Sequence, residues 1–332
     1  MTARLMMKLR VEAARAITPD TLHLRFVHPT RPQLPAWAAG AHVDLLLPDG
    51  RVRQYSLCGD PADRAGYEIA IKREDDGRGG SAWAHANLAA GATAQVSAPR
   101  NNFPLAENAA RHILVAGGIG ATPILAMARQ LAAEDKDFTV QLCARSPSAT
   151  PFLTELREIC GTRLETWFPT EGRRFSTQAL GAPQAGTHIY ACGPLGLLDA
   201  IAADALASGW GADQIHIEKF KAALDEDFTP EDFQVRLAST GEIIEVPAQT
   251  SLLDVLLARG LPIRSSCATG ICGSWKVRMQ VWPQRVEDHL VVVSCLEHDP
   301  LRLPQEALAL GVAQVFDGPN QDGDILHMRQ SA

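Results

Sequence analysis

The sequence predicts a multi-domain chain: an antiparallel β-barrel, then an α/β domain with a parallel sheet, then a small β-rich domain around a cysteine loop. Three observations predict it. Residues 8–100 alternate short apolar runs of period two with turn residues. From Arg111 the pattern changes to continuous apolar strands, each followed by a helical stretch. Further on, Cys267-Ala-Thr-Gly-Ile-Cys272-Gly-Ser-Trp275 comes close to a metal-ligand run, with Cys295 downstream. A length of 332 residues suits two to three domains.

Composition excludes several classes. A net charge of −7 gives no electrostatic support for nucleic acid. No apolar run is long enough to span a membrane. Met1-Thr-Ala-Arg-Leu-Met-Met-Lys8 lacks the apolar stretch of a signal peptide. Seven scattered cysteines do not make a disulfide framework, which points to the cytoplasm.

The barrel, placed at residues 1–105, shows its strands in Thr21-Leu-His-Leu-Arg-Phe26, His42-Val-Asp-Leu-Leu-Leu47 and Tyr67-Glu-Ile-Ala-Ile-Lys72. Two stretches in it carry chemistry. In Arg53-Gln-Tyr55-Ser56-Leu57, Arg53 and Tyr55 face one way on a strand, and Gln54 and Ser56 the other. An Arg forks onto a phosphate, a Tyr stacks on a flat ring, and a Ser hydroxyl bonds a ring nitrogen. The plainer alternative is a surface Arg and a core Tyr on a hairpin. The second stretch, Gly77-Arg-Gly79-Gly80-Ser81, opens a helical segment over Ala82–Leu88. Free N–H groups at a helix start make a phosphate cradle; the alternative is a flexible loop.

The α/β domain, placed at 106–222, begins with the buried strand His112-Ile-Leu-Val-Ala116. Gly117-Gly118-Ile-Gly120-Ala-Thr122-Pro123-Ile then leads into a helix over Leu125–Ala132. Strand, glycine-rich turn and helix make a pyrophosphate site, although this is not the G-x-G-x-x-G fingerprint. Thr139–Cys143 before Phe152–Ile159, and Thr187–Tyr190 before Leu195–Ala207, are further βα units. Arg145 follows the strand ending at Cys143, where it suits a ribose 2′-phosphate or a stack on adenine. Taken alone, Cys192 in Tyr190-Ala-Cys192-Gly193-Pro194 reads as a small buried apolar residue.

These motifs together, with Ala98-Pro-Arg-Asn-Asn-Phe-Pro104, resemble the phthalate dioxygenase reductase and vanillate O-demethylase reductase family. The resemblance implies a flavin, FMN before FAD, with its phosphate held by Arg53 and by the loop of Gly79, Gly80 and Ser81. Tyr55 and Ser56 would flank the ring system, with Leu57 and Lys72 completing the set. NADH or NADPH would lie on Gly117, Gly118, Gly120, Thr122 and Pro123, with Cys192, Gly193 and Pro194 at its reactive carbon. Glu218 and Phe220, in Ile215-His-Ile-Glu-Lys-Phe220, would line the flavin face. Ser56, Cys192 and Glu218 are the implied catalytic set.

A charged, turn-rich linker is expected over 223–232. Beyond it Phe233–Leu237 and Glu242–Val246 form a hairpin, followed by a helix over Ser251–Ala258 with Ser251 as N-cap and Gly260 as C-cap. Strands follow near Trp275–Val281, Leu290–Ser294 and Leu301–Leu303. That order resembles the ferredoxin β-grasp, placed at 233–318 before a tail over 319–332. The plant-type ligand run is C-x4-C-x2-C with a distant fourth cysteine. Cys267, Cys272 and Cys295 match three of its positions, and Trp275 stands at the remaining one. Relatives also carry a longer segment before the last cysteine than residues 280–292 provide. A [2Fe–2S] cluster therefore stands in question. Three functions follow: a relay from NAD(P)H through flavin and cluster to a partner oxygenase component, a flavin reductase with a clusterless docking domain, or a non-enzymatic assembly subunit.

Overall fold

The protein is described by a computed structural model covering residues 5–75, 77, 79–220, 232–237, 240–248, 250, 252–261, 277–281 and 290–295. For residues 253, 277–281 and 290–295 the description is of the backbone. The chain divides into two compact units, Met1–Phe220 and Lys221–Ala332.

The first unit opens with an antiparallel barrel. Its strands are β1 (Met6–Thr18), β2 (Thr21–Val27), β3 (Ala41–Leu46), β4 (Val52–Ser56), β5 (Gly66–Lys72), β6 (Thr93–Ser97) and the short β7 (Arg100–Asn101). The order is β4-β3-β6-β1-β2-β5, with β7 paired to β3. An isolated bridge, Leu57 to Ile69, joins the end of β4 to β5 and closes the circle. Inward residues such as Leu9, Val43, Leu45, Leu57 and Ile69 fill it, as period-two patterning requires.

Helix α1 (Gly80–Asn87) lies between β5 and β6. It starts two residues before the expected Ala82, because Gly79 takes the left-handed φ of 77° and turns the chain directly into the helix.

The α/β layer follows: β8 (Arg111–Gly117), α2 (Ala121–Ala133), β9 (Asp137–Cys143), α3 (Leu153–Cys160), β10 (Leu164–Trp167), β11 (Thr187–Cys192), α4 (Leu195–Ala207) and β12 (Ile215–Glu218). All five strands are parallel, in the order β10-β9-β8-β11-β12. The strand order therefore reverses direction at β8, between β9 and β11. Helix α2 begins at Ala121 rather than Leu125. Pro123 fits a first turn, where its missing N–H is no loss, and Thr122 Oγ1 donates to the Ile119 carbonyl at 3.0 Å.

Nine of the thirteen residues of α2 are buried, on all sides of the helix. The reason is a shared core. Ala39, Cys58, Ala70 and Phe103 from the barrel side pack into the same cluster as Ile124, Leu125, Met127 and Leu142. Ala39 N–H also donates to Gln130 Oε1 at 3.0 Å. Barrel and α/β layer thus form one unit with α2 between them.

The second unit has β13 (Phe233–Leu237), β14 (Ile243–Val246), α5 (Leu252–Ala258), β15 (Val277–Val281) and β16 (Leu290–Cys295). The sheet order is β14-β13-β16-β15, with β13 and β16 parallel at the centre and antiparallel edges. This is the mixed sheet of a β-grasp. Gly260, at φ 75°, ends α5 as expected, with bonds from Gly260 N–H to Leu257 and from Leu261 N–H to Leu256. Ser251, the Leu301–Leu303 strand, the linker at 223–231 and the 319–332 tail lie outside the described residues. Among the described residues, no helix is long and apolar enough to cross a membrane.

Candidate active site at the seam of barrel and sheet

Ligands of open α/β sheets bind beyond the carboxyl ends of the strands, where the strand order reverses. Here that edge carries the turn after β8, the turn after β11 and the end of β12. The two turns are locked together. A Cβ on Gly120 would lie 2.1 Å from the Cys192 carbonyl oxygen, and one on Gly193 would lie 2.8 Å from Gly117 Cα. A Cβ on Gly117 would meet Pro194 Cδ at 2.6 Å. Three glycines of the two motifs thus serve the contact between turns. Gly118 differs: it has open space around it and needs glycine for its φ of 54°. Thr122 and Pro123 are buried in the first turn of α2, directly after the glycine-rich turn. Arg145 is exposed just past β9, on the same strand edge, with its carbonyl bonded by Thr170 Oγ1.

Parallel register sets Cys192 beside Glu218. Ser56, at the end of β4, reaches them from the barrel. Ser56 Oγ donates to Glu218 Oε2 at 3.4 Å, and Cys192 Sγ approaches the same oxygen at 3.9 Å. The implied catalytic trio is therefore one cluster across the seam. Burial pushes the Glu218 carboxyl up to about 7, against the two weak hydrogen bonds that pull it down. Burial, then the nearby Glu218, pushes the Cys192 thiol well up, so it stays an S–H donor. A carboxyl poised near neutrality both donates and accepts a proton there. Phe220, just past Glu218, exposes 39% of its surface.

Arg53 and Tyr55 project from the other face of β4. A Cβ on Gly80 would lie 2.9 Å from Arg53 Nε, so the guanidinium stem rests on the first residue of α1. A cation beside free helix N–H groups suits a phosphate. Ser81 Oγ accepts from the Glu74 N–H at 3.0 Å, which shapes the loop before the helix. Tyr55 is half-buried against the barrel core, and burial lifts its phenol to about 12. It therefore remains neutral and offers a ring face. Two members of the expected set do not join it. Leu57 is fully buried in the barrel core, and Lys72 pairs with Asp20 at 3.9 Å.

One neighbouring group escaped the sequence reading. Asp44 is fully buried on the polar face of β3, where Arg100 Nη2 bonds both its oxygens at 2.9 Å and Gln54 Nε2 adds 3.2 Å. Arg100 Nη2 also lies 3.4 Å from His42 Nε2. His42 pairs across the strands with Ser56. The signal was His42-x-Asp44 on one strand face, which reads equally well as a solvated face.

Two family models match the chain: "Dimethylamine monooxygenase subunit DmmA-like, N-terminal domain" over residues 97–215, and "2Fe-2S iron-sulfur cluster binding domain" over 235–301. Vanillate O-demethylase oxidoreductase of Pseudomonas sp. (strain HR199 / DSM 7063) is 39% identical over 82% of this chain and 88% of its own length. The chain belongs to the vanillate O-demethylase and phthalate dioxygenase reductase family. As a member of that family it is an NAD(P)H-dependent flavoprotein oxidoreductase. Phthalate dioxygenase reductase, a modular structure for electron transfer from pyridine nucleotides to [2Fe–2S], matches this reductase with a TM-score of 0.71 and 31% identity, over 87% of this chain and 98% of that one. An intact type IV self-sufficient cytochrome P450 monooxygenase matches with a TM-score of 0.70 and 32% identity, over 87% of this chain. Here the reductase spans 41% of the longer protein.

The cysteine loop, Cys267, Cys272 and Trp275, lies outside the described residues. Cys295 ends β16, its backbone directly opposite Val277 of β15.

A pH prediction arises at Glu218. Its folded value of about 7 exceeds the ordinary 4.5, so between those values the folded state holds a proton that the unfolded state has lost. Stability should fall as pH rises through that window, by up to about 3 kcal/mol for the full shift. Glu218→Gln should flatten that loss. Denaturant midpoints at pH 5 and pH 8, wild type against variant, check it; equal pH slopes in the two proteins would contradict it.

Proposed function

We propose that this reductase takes electrons from NADH or NADPH through FMN and delivers them to an oxygenase component. The observation that carries the reading is the convergence of Ser56 from the barrel with Cys192 and Glu218 from the sheet edge. A hydride donor lying on the β8 and β11 turns and an acceptor held by the barrel would meet there. Bound at that seam, a flavin supplies the conversion of a two-electron hydride into single-electron transfers.

The chain's residues would do the rest. Arg53 and the start of α1 would hold the flavin phosphate, and Tyr55 would cover a ring face. Ser56 would bond the ring edge and Glu218 would hold or release a proton at Oε2. Gly118 would let a pyrophosphate approach the backbone, and Cys192 would pack beneath the nicotinamide. Arg145 would meet the adenosine ribose. FMN stands before FAD on family likeness. Four free thiols among the described residues, Cys58, Cys143, Cys160 and Cys192, suit a reducing cytoplasm. The names of the relatives, a demethylase oxidoreductase and a monooxygenase, support an oxygenase as the electron acceptor.

Anaerobic mixing with NADH tests this directly. The oxidised flavin absorbance should bleach with one NAD+ formed per flavin. Protein that carries flavin but stays yellow with both NADH and NADPH would refute the reading.

A further inference from the structure

The cluster implied by the C-terminal family model does not fit the donors this chain offers. Each iron of a [2Fe–2S] pair needs two terminal ligands beyond the bridging sulfides, four in all. The ligand run supplies Cys267, Cys272 and Cys295. At the fourth position Trp275 offers an indole N–H, which donates and has no lone pair for a metal. One iron would be left half-ligated beside a bulky ring.

We propose that the second unit is a clusterless β-grasp, and that electrons leave the first unit directly for an acceptor protein with its own one-electron iron–sulfur or haem centre. The inference rests on the function proposed above. Two structural observations support it. Val235, Leu237, Ile244, Val246, Leu252 and Leu256 are buried in one apolar core, so this unit has packing of its own. Small metal-dependent domains that lack such a core fold only when loaded. And β15 pairs with β16 through to Val277 opposite Cys295, so backbone pairing of the sheet holds the strand that bears the last cysteine.

The electron balance closes without a resident cluster. The C4–H bond of the nicotinamide breaks, and its hydride carries two electrons to the flavin. These leave in two single transfers, so one NAD(P)H yields NAD(P)+, two reduced acceptor centres and one proton to solvent.

The test is iron and acid-labile sulfide per flavin in the full chain purified without oxygen, with an EPR spectrum after dithionite. We expect flavin near one per chain, iron and sulfide below about a tenth of the two each that a cluster needs, and no reduced-cluster signal. About two of each per flavin with that signal would overturn the proposal, since a group other than a thiolate would then complete the site. Wild type and Trp275→Cys, incubated in parallel with ferrous iron and sulfide, give a second reading. Uptake by the variant alone supports the proposal, and uptake by wild type overturns it. NADH bleaching on the same sample separates the two claims: failure to bleach removes the proposed function, whereas iron in a bleaching sample removes only this inference.

Discussion

Arg53→Ala should purify with most of its flavin gone. The side chain lies along the first residue of α1, its Nε where a Cβ on Gly80 would almost touch it at 2.9 Å. Its guanidinium also donates to the Val52 carbonyl at 2.9 Å, which fixes the stem against β4. A phosphate there would receive charge-assisted bonds from Arg53 and backbone N–H bonds from the helix start. Losing the charged partner costs about 3 kcal/mol, roughly a hundredfold in affinity. The ratio of flavin absorbance to protein absorbance after gel filtration reads it. Arg53→Lys should hold an intermediate amount, because it keeps the charge and loses the fork. Wild-type occupancy in Arg53→Ala would remove Arg53 from the flavin site.

The domain series was legible because each part uses a different period. Alternation wrote the barrel strands, and continuous apolar runs wrote the parallel ones. What was not legible depended on tertiary cover. Helix α2 is buried all round because the barrel lies against it, and no period in Ala121–Ala133 says so. His42 and Asp44 alternate with Val43 and Leu45 as an outward face should, yet Arg100 and Gln54 close over Asp44. Sequence spacing could name Ser56, Cys192 and Glu218 through family likeness. Their meeting at one carboxyl oxygen needed the register of β11 with β12 and the docking of β4. The surroundings of Leu57 and Lys72 were equally hidden in the sequence: the barrel turns one side chain into its core and the other toward Asp20.

The glycine-rich turn is where a phosphate motif and a packing requirement coincide, and substitution separates them. Gly120 has a helical φ of −60°, which any residue adopts, so its need for glycine is purely one of space. An alanine there would put its methyl 2.1 Å from the Cys192 oxygen and 2.8 Å from Gly193 N. Both are backbone atoms at the end of a central strand and cannot rotate away. Gly120→Ala should therefore push the β11 turn aside, costing about 3 kcal/mol or more. It should also draw Cys192 away from Glu218 and slow flavin reduction by NADH. Gly118→Ala is the control. Its methyl meets nothing within 4 Å, and only the φ of 54° opposes it, about 1 kcal/mol. Thermal unfolding and anaerobic stopped-flow reduction of the two variants would read both effects. If Gly118→Ala proves the more damaging to stability, backbone conformation rather than the contact between the turns governs this edge. If it spares stability but blocks NADH, Gly118 is where the nucleotide approaches the backbone.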